Sequence, residues 1–401
     1  MEQDLIDYRE IAEKYTFAEH AAKANDYFAK ITIDSPVARK PFASPHEVPG
    51  TVGGIAMVVS GLNLFHAARV LDFGAGTCWV SRLLAMMGCE VTAADVSANA
   101  LRIGKQLINS DPVGRHLNVS FALLDGPKLP FADESFDRIV IFDAFHHCRD
   151  QLPMIGEFFR VLGPGGIVAF HEPGPDHSRS PQSQYEMRHF DVIEGDVVVE
   201  DLFAEAERVG FERMQLAAYG THPAFMDLDG YREFLGRRGD KGAWLAEQAR
   251  LECEQRRVFF LYKGGHCATD SRSSTGLAAS LDGLSLECTP AGIEVAGVIA
   301  NTGGATWLPS FGDIGSVNLG AHMKDEHGTY DHDWGRLAVS TAAVPPGGDC
   351  MIKGLISWPV ANRFTLTLDL VAEGVAWFEL CGTHPVTFTV DRAMGLVERA
   401  G

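Results

Sequence analysis

Three aspartates close three successive apolar runs: Asp72 in Val70-Leu71-Asp72-Phe73, Asp95 after Val91-Thr92-Ala93-Ala94, and Asp125 after Val119 to Leu124. A carboxylate at a strand end can accept hydrogen bonds from a ligand's diol or amino group, so Asp95 suits ribose hydroxyls and Asp125 an adenine amine. The first run continues as Asp72-Phe73-Gly74-Ala75-Gly76, where glycines let the backbone turn sharply and approach a ligand that any side chain would strike. In a pyrophosphate-binding G-x-G-x-x-G loop the last position must be small, but here it is Trp79. Asp72 would also repel a pyrophosphate while attracting a cation. The predicted ligand is a nucleoside without phosphates, held by Asp72, Gly74, Ala75, Gly76, Asp95, Val96, Asp125, Gly126 and Asp143.

Proton-transfer chemistry has its own candidates. His146 and His147 follow the fourth apolar run, His171 and Glu172 end the fifth, and His177 and His189 lie in the loop beyond. Histidine titrates near working pH, which makes it the natural general base for a hydroxyl acceptor. His171 is the first choice, with Glu172 orienting it, and His146 is the second. Asp143, His146, His147, His171 and Glu172 could converge on an ion, but no H-E-x-x-H or comparable spacing appears, and no metal is assigned.

These residues need elements to carry them. From Val70 to about Lys263, short apolar runs alternate with helical patterns, as in a parallel sheet covered by helices. Between the first two runs Val80, Leu83, Leu84 and Met87 recur at helical spacing and complete a β-α-β unit. Ahead of it, Ile6 to Ile31 reads as helix, and residues 1–66 as a helical lid. The stretch 264–279 turns to Gly, Ser, Thr and Ala, the composition of a linker. Beyond it, in residues 280–395, short strands at Gly292 to Ala300, Ile314 to His322, Cys350 to Trp358, Arg363 to Val371 and Val386 to Val390 read as an all-β sandwich.

The chain has 401 residues, 46% of them hydrophobic and 22% charged, enough for two or three cores. A formal net charge of -19 makes a nucleic-acid backbone a poor partner. The eight cysteines form neither a C-x-x-C pair nor a compact framework, which suits a reducing compartment. The N-terminus is acidic rather than signal-like, and the longest apolar stretch, Ile55 to Phe65, is too short to span a bilayer, so a cytoplasmic location is expected.

Five motifs in order resemble the class I S-adenosylmethionine-dependent methyltransferases: Asp72-Phe73-Gly74-Ala75-Gly76, Asp95-Val96-Ser97, Leu129-Pro130-Phe131-Ala132-Asp133-Glu134-Ser135-Phe136-Asp137, Ala144-Phe145-His146-His147, and Arg160-Val161-Leu162-Gly163-Pro164-Gly165-Gly166. The resemblance is close over about residues 70–170 and looser to Lys263. It implies a Rossmann-like domain over 67–263, a seven-stranded sheet with its last strand antiparallel, and S-adenosyl-L-methionine as cofactor. Cys78 stands where many members have a third glycine, which would narrow the space near the methionine moiety.

The strand-rich C-terminal region resembles a module of bacterial polysaccharide-assembly proteins, which implies a glycan context. It holds Trp307, Trp334, Trp358 and Trp377, and exposed aromatic faces stack on sugar rings. The favoured expectation is O-methylation of a sugar hydroxyl in a glycan or nucleotide-sugar precursor, with the N-terminal helices and the segment Thr221 to Gln255 closing over the acceptor. The alternatives are a small aromatic or polyketide-like acceptor, with the sandwich serving homodimerisation, and a non-catalytic donor-binding scaffold.

Overall fold

The computed structural model describes residues 5–220, 223–264 and 270–400. The chain divides into two compact units, Met1–Cys267 and Ala268–Gly401.

The first unit opens with α1 (Tyr8–Lys14), α2 (Phe17–Ala29) and α3 (Val48–Leu62). The single helix expected from Ile6 to Ile31 is broken at Tyr15. There Thr16 takes an extended backbone and exchanges hydrogen bonds with Glu19, a capping box that starts α2 afresh. The rest follows as β1 (Arg69–Phe73), α4 (Trp79–Met86), β2 (Glu90–Asp95), α5 (Ala98–Ser110), β3 (Val119–Leu123), β4 (Phe136–Phe142), α6 (Gln151–Val161), β5 (Leu162–Pro173), α7 (Pro181–Phe190), α8 (Val199–Val209), β6 (Phe211–Leu216), α9 (Leu228–Leu235), α10 (Lys241–Gln255) and β7 (Arg256–Lys263).

The strand order is β3-β2-β1-β4-β5-β7-β6, with β7 antiparallel to both neighbours, as expected. β1 and β4 run parallel, and between them the order in which strands are added changes from one side of β1 to the other, the point at which an α/β sheet opens a ligand crevice at its carboxyl edge.

Alternate residues of each strand feed two cores. Leu71, Phe73, Ile139, Ile141, Val168 and Phe170 pack with Phe158 of α6 and Leu202 of α8. Val70, Val140, Ile167 and Ala169 pack on the opposite face with Ile55, Val58 and Leu62 of α3 and Leu84 of α4. Each buried aliphatic side chain contributes about 1.5–3 kcal/mol. α3, read as part of the lid, is thus a structural layer of the sheet, because its apolar residues find their cover there. The amphipathic stripe of α4 is met at Val80 and Leu84, while Met87 lies past the helix end and is exposed.

The second unit contains β8 (Ala279–Ser280), β9 (Ser285–Thr289), β10 (Gly292–Asn301), β11 (Val317–Asp325), β12 (Tyr330–Ala338), β13 (Asp349–Ile356), β14 (Arg363–Ala372), β15 (Ala376–Trp377), β16 (Val386–Asp391) and β17 (Leu396–Arg399). They form an antiparallel four-stranded sheet (β8, β9, β10, β13) and an antiparallel six-stranded sheet (β11, β12, β14 to β17), whose inward residues share one core around Trp307. β12 was not anticipated, since Tyr-Asp-His-Asp-Trp-Gly has no apolar alternation. The boundary also differs from the composition. Asp270 and Ser271 are buried, Ser271 donates its N–H to Thr306 O, and Leu277 enters the core, so much of the expected linker belongs to this unit. Small polar residues here make tight backbone bonds rather than a free tether.

Among the described residues no helix is long and apolar enough to cross a membrane.

Candidate active site

The turn after β1 places Gly74 at φ +70° and Gly76 at φ +52°, left-handed conformations that favour glycine. A β-carbon on Gly74 would come within 2.4 Å of Ala144 Cβ, so the loops after β1 and β4 touch across the crevice. The loop amides are turned inward. Gly74 N and Ala75 N donate to Ala94 O at 2.8 and 3.0 Å, and Gly76 N donates to Asp95 Oδ2 at 2.8 Å. A phosphate-binding loop offers such amides to an anion. Here the Ala94 carbonyl takes two of them and the Asp95 carboxylate the third, so the arrangement fits a nucleoside and not a pyrophosphate. Trp79 packs edge-on against Phe142, which accommodates its bulk.

Asp95 is buried and its Oδ1 accepts the Ser97 N–H at 2.8 Å, so it clamps the glycine loop to the start of α5. Burial, partly offset by these amides, raises its pKa. Val96 is half-buried beside it, Asp125 is exposed, and Gly126 has open space around it. Asp72 departs from expectation. It shares its sheet face with Val70 and is 2% exposed; its Oδ2 accepts the Ser81 hydroxyl of α4, so it braces the loop from beneath and does not present charge to a ligand. Burial pushes its pKa up to about 7. Cys78 likewise turns away from the crevice, with its sulfur against Gly104 of α5, and does not narrow the space near the donor loop.

The N-terminal helices lie over this edge. Asn25 of α2 accepts the Asn99 N–H at 2.9 Å, and the Phe28 ring stands 3.9 Å from where a Gly76 β-carbon would lie. α1, α7 and the segment after α7 share an apolar cluster of Ile11, Met187 and Ile193. The segment proposed to close over the acceptor from Thr221 begins outside the described residues, and its helices α9 and α10 bury no residue of their own.

The histidines separate into two groups. His171, expected to be the base, is 3% exposed and faces α3: it stacks on Phe142 at 4.0 Å, and a β-carbon on Gly54 would meet its Nε2 at 2.4 Å. Its Nδ1 lies 3.3 Å from Asp143 Oδ1 without hydrogen-bond geometry. Asp143, at φ +51°, is also paired with Arg256. Burial alone would raise its pKa, but Arg256 and His171 together hold it well below the usual carboxylate range.

Glu172 projects from the other sheet face, because successive strand residues alternate, and so cannot orient His171. Its Oε1 instead accepts the Ala144 and Phe145 N–H groups at 2.8 Å, and its Oε2 lies 2.7 Å from His146 Nδ1. Around His146 stand His147, at 3.9 Å between ring centroids, and His177, at 5.0 Å. Glu194 completes the group, with His177 Nε2 at 3.0 Å from its Oε2. Burial and the neighbouring His147 lower the pKa of His146. Glu194 was missed because no spacing links it to residues 146, 147 and 177; only the fold of the loop after α7 brings it there.

In the second unit, Trp307 is fully buried in the core. Trp334 and Trp358 are half-buried and donate their indole N–H groups to Ser357 O and Thr289 O. Trp377 is half-buried beside His322 and under Arg336. None is the exposed platform expected for stacking on a sugar.

Residues 71–170 match a family described as Methyltransferase domain. A demethylmenaquinone methyltransferase of Streptomyces griseus is 29% identical over 167 residues, 36% of this chain and 69% of that protein. Methyltransferase GfsG of Streptomyces halstedii is 38% identical over 105 residues, 25% of this chain and 36% of its own length. Among solved structures, the chain aligns with phosphoethanolamine N-methyltransferase 2 of Haemonchus contortus in complex with S-adenosyl-L-methionine at a TM-score of 0.40 and 16% identity, covering 66% of this chain and 61% of that one. Residues 71–170 thus belong to a methyltransferase domain, and its methyl donor is S-adenosylmethionine.

Proposed function

We propose that the protein methylates an ionisable hydroxyl, phenolic or enolic, of a small metabolite bound at the carboxyl ends of β4 and β5. The observation that carries this reading is the buried His146–Glu172 pair. Glu172 accepts the Nδ1–H of His146 and fixes the tautomer, which leaves Nε2 with the lone pair a general base needs. His146 lies two residues from Ala144, whose β-carbon abuts the donor loop, so proton removal and donor binding adjoin.

Asp95, Gly74, Ala75 and Gly76, with Val96, Asp125 and Gly126, would hold the donor. S-adenosylmethionine supplies an electrophilic methyl group on sulfur. The chain's own task is to align the acceptor oxygen with that carbon, exclude water and take the proton. α1 and α2, packed over the strand ends, serve the exclusion.

A sugar hydroxyl is the second reading. It has little physical support, since no tryptophan of the second unit is an exposed platform, while the demethylmenaquinone methyltransferase among the relatives favours a conjugated acceptor. The test is mass spectrometry of reactions containing S-adenosylmethionine and parallel panels of phenols, enols and nucleotide-sugars. Methylation of a phenol or enol, lost in His146→Ala, supports the proposal. Methylation confined to sugars overturns it.

A further inference from the structure

We propose that His146, His147 and Glu194 form a binding site for a divalent transition-metal ion such as zinc. One ligand atom from each lies within 4.8 Å of the others. In a tetrahedral zinc site, ligand atoms at about 2.1 Å from the metal lie roughly 3.4 Å apart, so the three need to draw in by at most about 1.4 Å. Two histidines and one glutamate are the ligand set of zinc sites that keep a fourth position open for water or substrate.

The tautomers are set for this. His146 gives its Nδ1–H to Glu172, the carboxylate–histidine support that metal-bound imidazoles ordinarily have, and keeps Nε2 for a ligand. His147 Nδ1 is 2.7 Å from Ile193 O, and a carbonyl only accepts, so its lone pair is also on Nε2. Glu194 supplies an independent sign. The residue is 4% exposed, its Oε2 takes His177 Nε2, and its buried Oε1 has no hydrogen-bond partner. Oε1 is 3.3 Å from His147 Nδ1, but that hydrogen is committed to Ile193 O. A carboxylate oxygen left bare inside a protein is costly, and a cation among three histidines removes the cost.

This deepens the acceptor reading and rests on it only for the ion's role. Held by His146, His147 and Glu194, the ion would offer its open position to the acceptor oxygen and make that hydroxyl more acidic. With the ion bound His146 is its ligand, and the general-base role proposed above belongs to the protein without the ion.

The test is calorimetric titration of the metal-stripped full-length protein with zinc, and with cobalt(II) as a spectroscopic probe. A single equivalent is expected, with cobalt absorption bands free of any thiolate contribution. Binding should weaken at least 10-fold in Glu194→Gln and in His147→Ala, whose side chain is half exposed, and about 10- to 100-fold in Glu172→Gln. Exposed His189→Ala should bind as the wild type does. Absence of zinc binding, or binding that survives Glu194→Gln and His147→Ala but is lost in His322→Ala of the His322–Asp369–Glu379 group, overturns the proposal. Binding is read without turnover. A failed acceptor screen therefore leaves this result standing, and failed metal binding leaves His146 available as the base.

Discussion

The Glu172 carboxylate accepts the Nδ1–H of His146 at 2.7 Å where the two residues are 0% and 6% exposed. The same carboxylate takes the backbone N–H groups of Ala144 and Phe145, so one side chain fixes both the loop after β4 and the ring it presents. Hydrogen bonds to a charged group in so dry a setting are among the stronger ones, each contributing about 1.5–3 kcal/mol.

Glu172→Gln should therefore damage chemistry more than donor binding. Gln replaces an acceptor oxygen with a donating NH2 that competes with the loop amides and His146 Nδ1–H. We expect kcat to fall about 10- to 100-fold with donor affinity changed little, and His146→Ala to cost about 100- to 10,000-fold. Steady-state kinetics with donor-binding calorimetry separates the two; a parallel loss of donor affinity would assign Glu172 to the donor site.

Asp95→Ala frees the Gly76 and Ser97 amides and removes the acceptor proposed for the ribose hydroxyls. Donor affinity should fall by on the order of 2 kcal/mol, roughly 30-fold. Calorimetry with S-adenosylmethionine measures it, and unchanged affinity would remove Asp95 from the ribose.

Asp72 gives a pH dependence of stability. Its folded pKa, about 7, lies above its ordinary value of 3.8, so the folded state holds the proton more tightly than the unfolded state. Stability is fully present below the unfolded value and is lost as pH rises from about 4 through 7, by at most on the order of 4 kcal/mol. Asp72→Asn keeps a polar partner for Ser81 and cannot ionise. Urea unfolding should show it near the wild type at pH 5 and more stable at pH 8; equal stability at both would contradict the assignment.

His171 is a packing residue in this fold. Gly54→Ala would drive a β-carbon into its ring and should cost about 1–3 kcal/mol of stability. His171→Asn should lower the melting temperature yet leave the pH profile of kcat in place, whereas loss of that profile would return His171 to the chemistry.

The alternation of apolar runs and helices, the glycine turn at 74–76 and the aspartates at strand ends were legible in the sequence because each rests on local rules. Strands need apolar residues, and sharp turns need glycine. Tertiary structure decided what pairs with what. A strand buried on both faces shows no polar alternation, so nothing in the linear text says that His171 turns toward α3 while Glu172 turns toward His146. The direction of Asp72 was set in the same way, by the position of Ser81 on α4. Glu194 meets His146 and His177 only because the chain after α7 folds back over the strand ends. Those choices are made by packing between segments distant in sequence, where the burial of one face fixes the chemistry of the other.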